Sequence, residues 1–167
     1  MERKMASKVR TYKRVAALGV ASVLAFAMAQ SAFAGECPAD QKKSGVRSSS
    51  EEKATGVTDD IISTIDLSAK GDAFKGYMMR MRRLVIAPGG IVPWHMHDQR
   101  AANILILSGS IEEYNSNCAV PIVHNAGDVV GEFGADVAHW WMNKGSEPVV
   151  IISADLLPPQ MASDEKM

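Results

Sequence analysis

Two histidines separated by a single residue, His95 and His97, are the pair of side chains in this sequence best suited to chemistry. Residues two apart on a β-strand point to the same face, so both imidazoles project together if this stretch is extended, with Trp94 and Met96 on the other face. Imidazole is the commonest ligand for Zn, Fe, Cu and Ni in proteins. The pair is therefore either two arms of a metal site or two unrelated histidines on an exposed strand.

The chain contains two further histidines, His124 and His139. His139 lies in a later predicted strand, which an antiparallel barrel can bring beside the first, so it is a candidate third ligand. His124 stands at the edge of a short apolar run next to a turn, and we interpret it as a surface histidine. Three histidines from distant parts of the chain would favour the metal-site interpretation.

Short apolar segments separated by turn signals make up most of the chain after Val57, and none has the sustained periodicity of a helix. This pattern predicts an all-β fold, an antiparallel sandwich or barrel of about eight strands. The turn at 88–90 is expected to end one strand, and the turn at 108–110 to join two others. The predicted strands and strand pairs cover 61–67, 77–87, 103–114, 121–133, 138–143 and 148–157.

Residues 1–34 have the layout of a secretory signal peptide: a basic start, an apolar run over 15–29, and small residues at Ala32 and Ala34. The apolar run is shorter than the roughly 20 residues that cross a bilayer, which disfavours a membrane anchor. A lipoprotein site at Cys37 is an alternative, although Glu36 replaces the small residue that such a site prefers. Cleavage after Ala34 predicts a periplasmic or secreted protein that no longer contacts the membrane.

Cleavage would change the charge of the protein. The leader holds 6 of the 18 basic and 1 of the 19 acidic residues, which leaves 12 and 18 and a net charge of −6. A protein with this balance lacks the basic surface that a nucleic-acid partner requires. Cys37 and Cys118 both remain after cleavage, and in an oxidising compartment they form either one disulfide or two unpaired thiols.

The composition after the leader divides the remaining chain into three parts. Residues 35–56 are mainly polar and rich in serine, which predicts a flexible N-terminal segment. Residues 57–158 hold the predicted strands and form the barrel. Residues 159–167 are prolines and polar residues, and we expect a disordered tail.

Two spaced motifs resemble those of the cupin family. The first cupin motif is a glycine, then H-x-H, a glutamate and a closing glycine, and this chain offers Gly89, His95, His97 and Gly109. The position of the glutamate falls on alanine, at residue 101 or 102. The resemblance therefore implies the two histidine ligands of the motif and the loss of its carboxylate ligand.

The second cupin motif leads from a glycine through a turn to a histidine and an asparagine, and Gly127, His139 and Asn143 match it with one extra residue before the histidine. Phe133 replaces the proline of its turn. The resemblance extends over about 77–157 and implies an antiparallel double-stranded β-helix, the cupin or jelly-roll barrel. It also implies a divalent metal on three histidines and, as in many cupins, a homodimer.

Three histidines without a carboxylate would leave the metal its full charge and up to three open positions. An all-nitrogen face suits Fe(II) first, with Zn, Ni, Cu or Mn behind it. A cupin that has lost its metal together with its glutamate is the alternative. Asn143 is expected to fix a turn by hydrogen bonds to the backbone.

Several residues near the predicted ligands are candidates for a substrate pocket. Gln99 has the strand parity of His95 and His97, and either Trp140 or Trp141 should point into the barrel, although both tryptophans also fit ordinary packing. Three arginines on the preceding strand are interpreted mainly as a solvated face, with one inward residue able to hold an anionic substrate. They are Arg80, Arg82 and Arg83.

Two functions fit these features. The first is a metal-dependent, dioxygenase-like enzyme, an Fe(II)-dependent oxidoreductase in the favoured version, that acts on a small organic molecule. The second is a non-catalytic cupin that binds a small ligand. Glu112 and Glu113 follow a turn and are interpreted as solvent-facing rather than as a general base, and the catalytic residues stay unassigned.

Overall fold

A computed structural model describes residues 35–48 and 53–162, and gives no side-chain environment for 135–137. The predicted signal peptide lies outside the described residues, as do residues 163–167 of the predicted tail. Six strands account for most of the fold, and a one-turn helix α1 (Pro159–Ala162) follows them, so the predicted tail begins with ordered residues. The strands are β1 (Thr55–Asp66), β2 (Met78–Ser108), β3 (Ser110–Asn115), β4 (Ile122–Asn125), β5 (Val129–Met142) and β6 (Val149–Leu157).

Every strand pair is antiparallel. The strand order is β1-β2-β5-β3-β4, and β6 pairs with β2 outside that path. The sheet is a double-stranded β-helix, which confirms the predicted fold class. Three short 3₁₀-helices occur outside the strands, at Ala39–Gln41, Ser68–Lys70 and Asp72–Phe74.

Strand β2 is unusually long and bends so that both of its ends flank β6. Its first half pairs with β6 from Met78 opposite Leu157 to Ile86 opposite Val149, and its second half from Ala101 opposite Leu156 to Ser108 opposite Val150. Side chains that lie opposite one another in neighbouring strands share a face. Alternate residues of β2 and β6 therefore form cross-strand rows that line the inside of the barrel.

The structure has fewer and longer strands than the sequence predicts, because the chain bends where a turn was expected to end a strand. The residues at 88–90 stay within β2. Gly90 allows this bend, because a Cβ there would lie 2.8 Å from both the carbonyl oxygen of Ala87 and Cγ2 of Ile86. The turn at 108–110 also differs from expectation, since β3 pairs with β4 and β5 rather than with β2.

One end of the barrel interior is an apolar core. Ile86 and Ile106 are completely buried there, and Ile111 and Val149 nearly so. Isoleucine and valine suit these positions because β-branched side chains pack well on a pleated sheet. The other members of this cluster are Leu84, Ala102, Ile104, Trp141 and Ile151.

The described part of the N-terminal segment, 35–48, lies against the barrel. A disulfide joins Cys37 to Cys118. The backbone N–H of Lys43 donates to the carbonyl of Asn117, and Arg47 donates through its guanidinium to the carbonyls of Cys118 and Ala119. This part is therefore attached rather than flexible, because cross-linking and backbone hydrogen bonds replace the apolar residues it lacks. No helix in the described ranges is long and apolar enough to cross a membrane.

Candidate metal centre

Three histidines and a glutamate converge inside the barrel. His95 on β2 lies directly opposite His139 on β5, and their Nε2 atoms are 3.2 Å apart. Nε2 of His97 lies 2.9 Å from Oε2 of Glu132, and Nε2 of His139 lies 3.5 Å from Oε1 of the same glutamate. One ligand atom from each of the four residues lies within 4.8 Å of those of the others. The structure thus brings together all three histidines singled out in the sequence.

The carboxylate expected to be absent is present, and it comes from a different strand. Glu132 on β5 lies directly opposite Ala102 on β2, one of the two positions where the cupin motif would place its glutamate. A side chain on the neighbouring strand at the same row reaches the same region of the barrel interior. The candidate donor group in the structure therefore has three imidazoles and one carboxylate, where the sequence predicts three imidazoles alone.

Each imidazole is held by its second nitrogen. Nδ1 of His95 lies 2.8 Å from the carbonyl oxygen of Pro93, and Nδ1 of His97 lies 3.1 Å from that of Arg100. Nδ1 of His139 lies 2.7 Å from Oε1 of Glu113. These oxygens can only accept, because the Glu113 carboxyl stays ionised, so in each neutral imidazole Nδ1 carries the proton and Nε2 keeps its lone pair. Histidines that bind metals are oriented in this way.

Glu113 connects the donor group to a second buried histidine. Its Oε1 accepts from His139 and, at 2.8 Å, from Nδ2 of Asn115, and its Oε2 accepts from Nε2 of His124 at 2.8 Å. The indole of Trp141 stacks on His124 with ring centroids 4.7 Å apart. Its Nε1 also lies 3.3 Å from Nδ1 of His139, but that nitrogen donates to Glu113, so this approach is a packing contact.

These contacts correct two interpretations made from the sequence. Glu113 is 4% exposed and His124 is fully buried, so neither lies at the surface. The alternation of the strand already contains the signal for Glu113, because Glu113 has the same parity as Ile111, which faces the core. Glu112 does lie towards the surface, where it pairs with Lys144 at 2.9 Å.

The electrostatics of the group favour neutral imidazole at His95 and an ionised carboxylate at Glu113. Burial, together with the charge of His139, lowers the pKa of His95 to about 3. Burial alone would raise the pKa of Glu113, but hydrogen bonds from His124 and His139 outweigh it and lower that pKa. For His139, burial would lower the pKa, but the hydrogen bond to Glu113 and the charge of Glu132 raise it. The raised pKa favours a second proton on His139, at Nε2, and a metal ion bound to the Nε2 atoms would replace that proton.

The donor atoms fit a divalent transition metal. Among the described residues, Nε2 of His97 and Oε1 of Glu132 are buried without a hydrogen-bond partner, although each lies near another donor of the group. Buried polar atoms are normally paired, and an unpaired set with a common focus is typical of a ligand site. Imidazole and carboxylate together suit Fe, Mn, Ni or Zn. The residues that would hold the ion are His95, His97, Glu132 and His139.

A cavity of about 40 Å³ adjoins this group. A water molecule needs about 10–15 Å³ of such space, so the cavity accepts only a small ligand. His95, His97 and Glu132 form part of its wall, and Trp141 another part. The rest of the wall consists of Arg82, Leu84, Val92, Arg100, Ile104, Ile151 and Ser153.

Of the three pocket candidates predicted from the sequence, one lines the cavity and two do not. Trp141 is buried and lines the cavity, whereas Trp140 stacks on Tyr114, with ring centroids 4.0 Å apart, and does not line it. Gln99 is exposed and lies outside the wall, and Arg100 is buried in its place. The pairing of β2 with β5 is irregular between His97 and Ala102, so strand parity no longer holds there.

The predicted solvated face of Arg80, Arg82 and Arg83 is correct for only one of the three arginines. Arg83 is exposed, but Arg80 and Arg82 are 7% and 8% exposed and point into the barrel rather than to solvent. Arg80 donates to both oxygens of Asp155, from Nε at 3.3 Å and from an η nitrogen at 2.8 Å. Asp155 makes their burial possible, since an unpaired buried charge is too costly to keep. Asn143, as expected, bonds backbone groups, the carbonyls of Ile86 and Glu147.

Comparison with known families agrees with this geometry. Residues 82–155 match the family model described as Cupin_2, cupin domain. This part of the chain is similar to a cupin domain. The four donor residues all lie inside the matched range. No curated protein matches the sequence.

Solved structures that resemble the chain include proteins described as cupin or double-stranded β-helix domains. The Cupin_2 domain of an XRE-family transcriptional regulator from Enterobacter cloacae has 16% identity and a TM-score of 0.45, over 63% of this chain and 99% of that one. A protein with a double-stranded β-helix domain from Klebsiella pneumoniae has 20% identity and a TM-score of 0.48, over 66% and 82%. A sugar phosphate isomerase from Silicibacter pomeroyi has 14% identity and a TM-score of 0.46, over 70% and 76%. These names differ, and we take no activity from them.

Proposed function

We propose that the protein is a metal-dependent enzyme that holds one divalent transition-metal ion on His95, His97, His139 and Glu132 and acts on a small organic molecule. The observation that carries this proposal is the convergence of three oriented Nε2 atoms and one carboxylate beside a cavity. Fe(II) is the first candidate. Mn(II), Zn(II) and Ni(II) follow, and the carboxylate makes Cu(II) less favoured than three histidines alone would.

A divalent ion in this position supplies Lewis acidity or, in the case of Fe(II), activation of dioxygen. The residues of the chain contribute orientation and charge. Glu132 cancels one unit of the charge of the ion, and the hydrogen bonds to Pro93, Arg100 and Glu113 keep the Nε2 lone pairs directed inward. The apolar side chains of the cavity wall limit access of water to the reacting ligand.

A direct test is the metal content of the purified protein. We expect close to one transition-metal ion per chain, and loss of that ion in His97→Ala and Glu132→Ala. His124→Asn is the matched control, because His124 is equally buried but lies outside the donor group. It should keep the ion, with a weaker affinity. A metal-free protein that cannot be reconstituted, or equal metal content in all variants, would contradict the proposal.

One observation favours a second candidate, a cupin that captures a small ligand without turnover. Among the described residues of the cavity wall, Arg82 and Arg100 are the only ionisable side chains apart from the donor group, and neither is suited to act as a general base. Incubation with Fe(II), dioxygen and small organic acids separates the two candidates. Oxygen consumption with a changed product supports the enzyme, whereas binding without turnover supports the capture protein.

We also propose that the protein is exported, with residues 1–34 as its leader. The disulfide between Cys37 and Cys118 supports this proposal, because such bonds persist in oxidising compartments. Fractionation of cells that express the full chain, with the N-terminal residue of the mature protein determined, tests it. An intact leader on a cytoplasmic protein would contradict it.

A further inference from the structure

Three hydrogen-bond donors that belong to residues of the cavity wall have no partner among the described residues. They are Nε of Arg82, Nε of Arg100 and Oγ of Ser153. The residues are 8%, 5% and 1% exposed, so water at the surface does not satisfy these atoms. Leaving a buried donor unpaired is costly, and the cost is higher for a charged group. Three such donors around one small cavity therefore indicate a ligand that accepts hydrogen bonds.

The framework holds these donors in fixed positions. Arg82 lies directly opposite Ser153 in the pairing of β2 with β6. One η nitrogen of Arg82 and one of Arg100 meet at the same oxygen, Oδ2 of Asp155, at 3.4 and 2.9 Å. Asp155 thus anchors the outer ends of both guanidinium groups. Their Nε–H groups are the donors left over.

The charge around this cavity also favours an anion. Arg80, Arg82 and Arg100 share two carboxylates, Asp155 and Asp59, which leaves this arginine cluster one positive charge in excess before Glu132, on the histidine side of the wall, is counted. Burial lowers the pKa of Arg82 even though Asp155 and Asp59 oppose that effect. A further negative charge in the cavity would therefore be stabilised by groups that are already fixed.

We propose that Arg82, Arg100 and Ser153 form a carboxylate-binding subsite, which holds a small organic acid with its remaining atoms directed towards the histidine and glutamate group. A carboxylate has two oxygens, and these match two separate Nε–H donors and leave a lone pair for the hydroxyl of Ser153. Two Nε–H groups and one hydroxyl suffice for the two oxygens of a carboxylate but would leave oxygens of a tetrahedral phosphate group without a donor. This proposal rests on the proposed function only for the reaction that follows, since the subsite itself needs no metal.

The Nε–H groups of the arginines provide the readout. We would titrate ¹⁵N-labelled, metal-free protein with malonate and, as the neutral isostere, malonamide, and follow the Nε–Hε resonances of Arg82 and Arg100. Both resonances should shift with malonate and stay in place with malonamide. Inorganic phosphate is the third probe and should bind more weakly. Shifts with phosphate but none with malonate would overturn the assignment to a carboxylate.

Variants identify the residues that contribute to binding. Arg82→Lys and Arg100→Lys remove an Nε–H donor but keep a positive charge, and each should raise the Kd for malonate about tenfold or more. Arg80→Lys is the matched control, because Arg80 is buried on the same strand and pairs with the same aspartate but does not line the cavity. It should leave the Kd within about twofold. Equal effects of all three substitutions would reject the subsite.

Ser153→Ala covers the case in which an arginine variant fails to fold. It removes one hydroxyl without disturbing an ion pair, and the Kd for malonate should rise about threefold to tenfold. An unchanged Kd in a folded Ser153→Ala protein would remove Ser153 from the subsite.

Repeating the malonate titration with Zn(II) separates this proposal from the proposed function. Malonate binding by a protein that takes up no metal would leave the subsite standing and reject the metal-dependent enzyme. Zn(II) uptake by a protein with no response to malonate in either form would do the reverse.

Discussion

The two ends of the barrel interior are built on the same strands but from opposite kinds of residue. At one end, rows across β2 and β6 pair Ile86 with Val149 and Leu84 with Ile151. At the other end, the rows pair Arg82 with Ser153 and Arg80 with Asp155, and the second row continues through Ala102 to Glu132. Between Leu84 and Arg82, two residues apart on β2, the side chains of the interior change from apolar to charged.

The contrast separates the residues that stabilise the fold from the charged residues that the fold positions for binding. Burying the apolar rows contributes free energy in proportion to the area removed from water. Buried ion pairs contribute little, because the desolvation of both charges offsets their attraction. The free energy gained by burying the apolar end therefore offsets the desolvation of the charged end. Substitutions at the apolar end should change stability, and those at the charged end should also change binding.

The largest effect on stability is expected from Asp155→Asn. Asp155 contacts three arginines, and an amide cannot compensate their charges, so several buried cations lose their partner. Removing one member of a buried ion pair costs about 3–5 kcal/mol. Denaturant unfolding of the metal-free protein measures the loss. Asp59→Asn is the control, since Asp59 pairs only with Arg82 and is partly exposed, and it should cost clearly less.

The same aspartate should give the protein a specific dependence on pH. Burial alone would raise the pKa of Asp155, but the hydrogen bond from Arg80 and the charges of Arg82 and Arg100 lower it below its ordinary value of 3.8. Its contribution to stability is therefore complete above that value and is lost as the pH falls through the lowered pKa. The free energy of unfolding should fall more steeply below pH 3.8 in the wild type than in Asp155→Asn. Parallel pH profiles would show that folding does not lower the pKa of Asp155.

At the apolar end, Ile106→Ala should cost about 2–5 kcal/mol, because Ile106 is completely buried and its loss leaves a cavity. Bound metal per chain should stay the same, since no donor residue changes. Leu107→Ala is the control on the next residue, which is 54% exposed, and it should alter stability by less than about 0.5 kcal/mol. A loss of metal in folded Ile106→Ala would mean that the two ends of the interior are not independent.

The disulfide lies outside both ends and should act on stability alone. Cys37 and Cys118 are 81 residues apart in the sequence, so their bond restricts the unfolded chain strongly. Reduction should lower the free energy of unfolding by about 2–4 kcal/mol, measured as a lower thermal midpoint. The double variant Cys37→Ser, Cys118→Ser should no longer respond to the reductant. Identical midpoints with and without reductant in the wild type would contradict this expectation.

The sequence predicts the apolar end of the barrel and part of the charged end. Alternation along a strand is local, so the common direction of His95 and His97 follows from the sequence. That the strand of His139 can lie beside the strand of His95 follows from the predicted antiparallel fold. The position of Glu132 opposite Ala102 depends on the register between two strands that are far apart in the chain, and nothing local in the sequence specifies that register.

Irregular backbone explains most of the remaining differences. Strand parity predicts Gln99 in the pocket, but the pairing after His97 is irregular and Arg100 lines the cavity instead. A long strand that bends at Gly90 has the sequence signature of two strands and a turn, so the number of strands was too high. The sequence analysis allows for one inward arginine, whereas the structure has two, because buried charge depends on a partner, Asp155, that lies 75 residues from Arg80.

The smallest effect, and the finest test of the comparison, is expected from Glu113→Gln. The carboxylate of Glu113 fixes Nδ1 of His139 and adds negative charge to that ligand, and a glutamine keeps the shape but removes the charge. Loss of such a supporting group weakens metal binding about 10- to 100-fold. Competition with a chelator of known affinity measures the change. Glu112→Gln is the matched control on the adjacent residue, which pairs with Lys144 at the surface, and it should leave the metal affinity unchanged. Equal metal affinities for Glu113→Gln and the wild type would mean that the donor group holds its orientation without the buried network behind it.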